Sequence, residues 1–158
     1  MEGAWNFNKT RLRRYRQSLE SLGTAVKAFN RAGVAAVLNL GDIIDERNRR
    51  GGKEMSLAAL GKVLAEFAKL AVPMDKVAHL IGNHECYNLS RAELRTQLSA
   101  VDEAGRGYRA FIPAAGWKCV VLDPYEVSTI AYVTHLPVSS PLSPHCPDRR
   151  NRRNRHSF

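Results

Sequence analysis

The chain has 158 residues, 44% of them hydrophobic, and a formal net charge of +9. That length suits one domain able to bury a continuous core, and that composition excludes disorder over the whole chain. No apolar run nears the roughly 18 residues that span a bilayer, and no secretory h-region opens the sequence, so the expected compartment is the cytosol and no membrane partner is expected.

Residues 1–10 carry no periodicity. A helix follows, with Tyr15, Leu19, Leu22, Val26 and Phe29 at spacings of four and three. Arg11, Arg13, Arg14 and Arg16 crowd its start, the wrong end of the helix dipole for cations, and Gly33 is its stop signal. Residues 34–40 (VAAVLNL) are a short apolar run without alternation, which predicts a strand covered on both faces. Residues 41–52 are polar and bounded by glycines, and predict a loop. Ser56 is the expected N-cap of a second helix whose apolar face is Leu57, Leu60, Val63, Leu64, Phe67 and Leu70, with Pro73 preventing its continuation.

Residues 77–81 predict a second short strand, and 82–89 a second loop. Ser90 and Glu93 match the S-x-x-E capping box ahead of a third helix through Leu94, Leu98 and Val101. Residues 108–112 and 118–122 can pair as a hairpin around 113–116, and 130–138 is a last strand candidate. A boundary is drawn there: residues 1–138 form the domain, and 139–158 read as a Pro/Arg-rich disordered tail. Five arginines between Arg149 and Arg155, against Asp148 alone, supply +4 of the net charge. A run of arginines without interleaved aromatics is a poor reader of nucleic acid, which is therefore not the expected partner. Cys86, Cys119 and Cys146 are an odd set with no CxxC pair, and read as reduced thiols. Two strands separated by a helix should be parallel, so the fold class is α/β.

Each of the two predicted loops directly follows an apolar strand: Gly41-Asp42-Ile43-Ile44-Asp45 and Gly82-Asn83-His84-Glu85. Ligands of α/β sheets collect outside the carboxyl ends of the strands, so neighbouring parallel strands would bring Asp42, Asn83 and His84 to one rim. A carboxylate can bridge two cations, an amide oxygen is a neutral ligand, and imidazole suits manganese, iron or zinc. Two cations about 3.5–4 Å apart can clamp a phosphoryl group and activate water.

GDIID and GNHE resemble the second and third signature blocks of the calcineurin-like metallophosphoesterases. RRYRQSL, VLNLGDIID, LIGNHECYNLSR and GWKCVVLDPYEVS narrow the resemblance to the manganese-dependent ADP-ribose/CDP-alcohol diphosphatases. The fold this implies is α/β with metallophosphoesterase-like β-sheet layers flanked by helices. The cofactors it implies are two divalent metal ions, manganese first, with iron, zinc and magnesium as alternatives. The substrate it implies is a small nucleotide diphosphate. Asp42 would bridge both metals. Asn83 and His135, the latter in Thr134-His135-Leu136-Pro137, would ligate the second. His84 would act on the substrate phosphate or leaving group as a catalytic residue, Glu85 would orient His84 by a hydrogen bond, and Asp45 would support the loop.

The family pattern also has an opening Asp block and a closing Gly-His-x-His block, and neither occurs in these 158 residues. The resemblance is thus to an incomplete member, in which the first metal would keep Asp42 alone and impaired activity is an expectation. A Ser/Thr protein phosphatase is an alternative that Glu46 after Asp45 and Ile81 before Gly82 disfavour. An inactive remnant whose basic tail binds anions is the other.

Overall fold

The computed structural model describes residues 4–6, 8–98 and 107–125. Its elements run α1 (Tyr15–Ala32), β1 (Val37–Asn39), a short 3-10 helix (Glu46–Gly51), α2 (Gly52–Phe67), β2 (Val77–His79), α3 (Asn83–Asn88), α4 (Arg91–Leu98), β3 (Arg109–Phe111) and β4 (Cys119–Val121). The fold is α/β, as the alternation of apolar strands and amphipathic helices requires. Among the described residues, no helix is long and apolar enough to cross a membrane.

Helix α1 ends where the sequence places its stop. Gly33 takes the left-handed conformation, φ 60° and ψ 44°, and the Val34 amide reaches back to the Phe29 carbonyl at 3.4 Å. Of the arginines at its start, Arg13 finds a partner across the chain in Asp45. Helices α1 and α2 pack on β1 and β2 through Val26, Val37, Phe67, Leu70 and Val77. A second core, of Ile44, Leu60, Ile81, Leu89, Leu94 and Leu98, sits where the loops after the two strands meet α2, α3 and α4.

Strands β1 and β2 pair in parallel, Val37 opposite Val77 and Asn39 opposite His79. The strand is shorter than the apolar run, and the expectation that it is covered on both faces is corrected. Val37 and Asn39 are buried, while Leu38 is 49% and Leu40 76% exposed. The helices cover one face of β1, and burial alternates accordingly. The hairpin forms as read, with Arg109 opposite Val121 and Phe111 opposite Cys119, and Gly116 at φ 79° in the turn.

Two further expectations are corrected. Ser56 caps nothing: α2 starts at Gly52, directly after the 3-10 helix, and Ser56 is buried within it. Its hydroxyl donates to Asn88 Oδ1 at 2.8 Å and to the Gly52 carbonyl at 3.3 Å. Residues 82–89 are mostly helix, not loop. Glu85, at the third position of α3, accepts from the Gly82 amide at 2.7 Å, half of a capping box that no Ser or Thr announces.

The other capping box is where the sequence puts it. The Ser90 amide donates to Glu93 Oε2 at 2.8 Å, and the Glu93 amide to Ser90 Oγ at 3.3 Å. Lys53, and after it the Ser90 amide, hold the Glu93 carboxyl down to about 2. A depressed carboxylate contributes stability at pH above its ordinary range, and that contribution fades as pH falls toward about 2. Ser90→Ala is expected to cost about 1 kcal/mol at neutral pH, read as a lower urea midpoint; an unchanged midpoint would show that the box is idle. The strand candidate 130–138, the boundary at 138/139 and the basic tail lie outside the described residues.

Candidate metal centre

Two turns make the site, and glycine lets them touch. After β1 the chain turns through Gly41, φ 88°, and Asp42, φ 56°, both left-handed. After β2 it enters α3 through Gly82. A Cβ on Gly41 would lie 2.5 Å from the Gly82 nitrogen, and one on Gly82 would overlap the Asp42 backbone and carboxylate. No side chain fits at either point, so the backbones themselves are in contact.

Glu85 ties the two turns together. Its carboxylate has no exposed surface and accepts four backbone amides: Gly82 at 2.7 Å, Asp42 at 2.8 Å, Ile43 at 2.8 Å and Ile44 at 3.3 Å. Three of those amides belong to the other turn. A buried carboxylate is tolerated when charge-assisted hydrogen bonds replace its water, and here the protein's own backbone supplies them. The expectation that Glu85 orients His84 is therefore corrected. Neighbouring residues of a helix point about 100° apart. Glu85 points into the junction of the turns, and the His84 ring meets the Glu46 amide instead.

His84 is oriented by the backbone. The Glu46 amide donates to His84 Nδ1 at 3.2 Å. With Nδ1 accepting, the neutral ring carries its hydrogen on Nε2, the atom left for a ligand. The helix bearing His84 is anchored by Asn88, whose Nδ2 donates to the His84 carbonyl at 2.8 Å and to the Asp45 carbonyl at 3.1 Å. The Tyr87 ring lies 6.1 Å from the His84 ring, with the Arg49 guanidinium 5.8 Å over it, so the rim beside His84 is aromatic and basic.

Asp42 and Asn83 meet at the rim. The Asn83 side-chain amide lies 3.1 and 3.3 Å from the two Asp42 carboxylate oxygens, and the His84 amide donates to Asp42 Oδ1 at 3.0 Å. With its NH2 toward Asp42, the Asn83 amide is a hydrogen-bond donor. With its oxygen there, a charged and a neutral oxygen face one another as two ligands of one cation do. The oxygen-only pair suits a hard divalent ion such as manganese or magnesium. It supplies part of a coordination shell: among the described residues no three His, Cys, Asp or Glu side chains gather at one point.

Asp45 stands back from this pair, accepting the Arg47 amide at 2.9 Å and pairing with Arg13. His135 lies outside the described residues. Behind the rim, burial pushes the Cys86 thiol up to about 11 against the pull of Arg91, and burial with the nearby Asp42 raises the Tyr125 phenol. Both groups stay protonated at neutral pH and form an uncharged wall. Sequence reasoning missed Asn88, Asn39 and His79. The last two are the polar interruptions of VLNL and VAHL, a signal that was there to be read.

A family model described as calcineurin-like phosphoesterase matches residues 15–146. A manganese-dependent ADP-ribose/CDP-alcohol diphosphatase from Arabidopsis thaliana is 39% identical over 126 residues, covering 79% of this chain and 39% of the relative. The protein of the same name from Danio rerio is 37% identical over 142 residues, covering 82% and 42%. A dimetal phosphatase from Danio rerio, a solved structure, has a TM-score of 0.70 and 36% identity, covering 87% of this chain and 43% of that one. The chain spans about two fifths of the length of the curated relatives it matches.

Proposed function

This chain belongs to the calcineurin-like phosphoesterase family, and from that premise we propose that it serves a metal-dependent phosphohydrolase acting on a small diphosphate such as ADP-ribose or a CDP-alcohol. The observation that carries the proposal is the Asp42 carboxylate beside the Asn83 amide at the ends of two parallel strands, with His84 next to them. Asp42 and Asn83 would hold the cation, and Asp42 has the second oxygen needed to share it with a neighbour. When bound, a pair of divalent ions neutralises phosphate charge and acidifies water.

The chain's own residues do the rest. Glu85 fixes the backbone of the Asp42 turn, so the carboxylate is aimed before any ligand arrives. The Glu46 amide fixes the His84 ring, so Nε2–H is available to a phosphate oxygen or to the departing oxygen. Cys86 and Tyr125, held neutral, add no negative charge that would repel a diphosphate.

Incubation of the chain with manganese and ADP-ribose should release AMP, and a phosphopeptide in parallel should release little phosphate. AMP no higher than in an EDTA control, across a manganese titration, would overturn the proposal; phosphopeptide turnover alone would transfer it to the protein phosphatases. His84→Ala should lower turnover by roughly 100-fold while manganese affinity stays within a few-fold of wild type. Undiminished turnover would remove His84 from the chemistry.

A further inference from the structure

Two buried polar side chains lie one step behind the metal centre. Asn39 and His79 face one another on the last rung of the parallel pair, 9% and 7% exposed, in strands otherwise built of Val, Leu and Ala. Burying an amide and an imidazole in a core is costly unless each finds a partner. Their partners form a line. Asn39 Nδ2 is 2.9 Å from His79 Nδ1, the Gly41 amide donates to Asn39 Oδ1 at 3.1 Å, and the Leu80 amide donates to the Asn39 carbonyl at 2.8 Å.

The proton positions follow from chemistry. A backbone amide can only donate, so the Asn39 atom facing Gly41 is the oxygen. The Asn39 NH2 therefore faces His79, and Nδ1 of that ring must be the acceptor. Only the neutral ring with its hydrogen on Nε2 satisfies the line. A protonated ring would turn Nδ1–H against the Asn39 NH2. Rotating the Asn39 amide to relieve that clash would set its NH2 against the Gly41 amide. The structure keeps the ring neutral: its pKa is lowered by burial, and by Arg109, whose guanidinium donates to the Val77 carbonyl at 3.0 Å. Phe67 of α2 meets the ring edge-on at 4.9 Å.

We propose that His79 and Asn39 are positioning residues that hold the Gly41–Asp42 turn from below, so that the neutral His79 ring sets the aim of the Asp42 carboxylate toward its cation. Glu85 grips the turn from one side and Asn39 from the other. Gly41 and Asp42 both occupy left-handed backbone, which is free for glycine but uncommon for Asp, so contacts on both sides of the turn help to hold Asp42 there. The proposal rests on the metal-binding reading given above, and its test separates the two.

The experiment uses the full chain and two readouts: the hydrogen-exchange protection factor of the Gly41 amide without metal, and manganese affinity from the electron paramagnetic resonance signal of the free ion. His79→Phe fills the slot against Phe67 but offers Asn39 no acceptor. It should lower Gly41 protection about tenfold and manganese affinity about fivefold. His79→Gln, whose side-chain oxygen can accept from Asn39, should restore much of both. As pH falls below the ordinary imidazole value of 6.5 the wild type should lose Gly41 protection, and His79→Gln should not.

Unchanged Gly41 protection in His79→Phe overturns the proposal. If that variant fails to fold, Asn39→Ala is judged by the same readouts. A response of Gly41 with no change of manganese affinity, in a chain that binds the ion, overturns it as well. If Gly41 responds but the wild type itself takes no manganese, the line of hydrogen bonds stands and the metal-binding reading falls.

Discussion

Asp42→Asn is expected to fold and to lose manganese. The substitution keeps the size of the side chain and removes its charge. The replaced group can present one neutral oxygen where the carboxylate presents two charged ones, and its NH2 repels a cation. Asn83 cannot compensate, since it offers a cation at most one neutral oxygen. Manganese affinity should fall at least roughly 100-fold, and AMP release with it, because two-ion chemistry needs a shared ligand. Titration followed by the resonance of the free ion measures the first, and thermal unfolding checks that the fold is intact. An Asp42→Asn chain that binds manganese as the wild type does would place the cation elsewhere.

The second large effect falls on stability rather than on chemistry. Glu85→Ala should destabilise the chain by about 3–5 kcal/mol, because four amides within the junction of the turns lose one acceptor together. Glu85→Gln should cost less but still more than about 1 kcal/mol, since its NH2 must face amide hydrogens that the carboxylate used to accept. Urea midpoints at fixed slope give both values. A Glu85→Gln chain as stable as wild type, with only its turnover reduced, would restore the role of Glu85 as a partner of the His84 ring.

What was legible in the sequence was whatever depends on near neighbours. Gly33 ends α1 because the left-handed residue and the amide it turns lie within one helical turn of each other. Ser90 and Glu93 are three apart and cap α4 as read. The parallel pairing of β1 and β2 follows from a helix lying between two apolar runs, and it delivers GDIID and GNHE to the same edge.

What was not legible depends on contacts across the chain or on helical phase. Ser56 carries every mark of a helix cap, yet its hydroxyl is claimed by Asn88, 32 residues away. Six residues are too few for α3 to declare a periodicity, so its sequence looks like that of a loop. Once it is a helix, its phase turns Glu85 inward and leaves the His84 ring to the Glu46 amide. The exposure of Leu38 and Leu40 follows from where the helices lie, which a run of apolar letters does not encode.

Asp42 sits at φ 56°, and this narrows which residue can stand there. Left-handed backbone is comfortable for glycine and tolerable for Asn and Asp, whose short polar side chains bond locally; longer side chains are strained in it. A cation asks for a carboxylate. The two demands overlap in a single amino acid, so even Glu, with the right charge, would meet the wrong backbone. Drift at this position has nowhere to go, and a lineage that relaxed its need for the metal should reveal it first as Asn or Gly at residue 42.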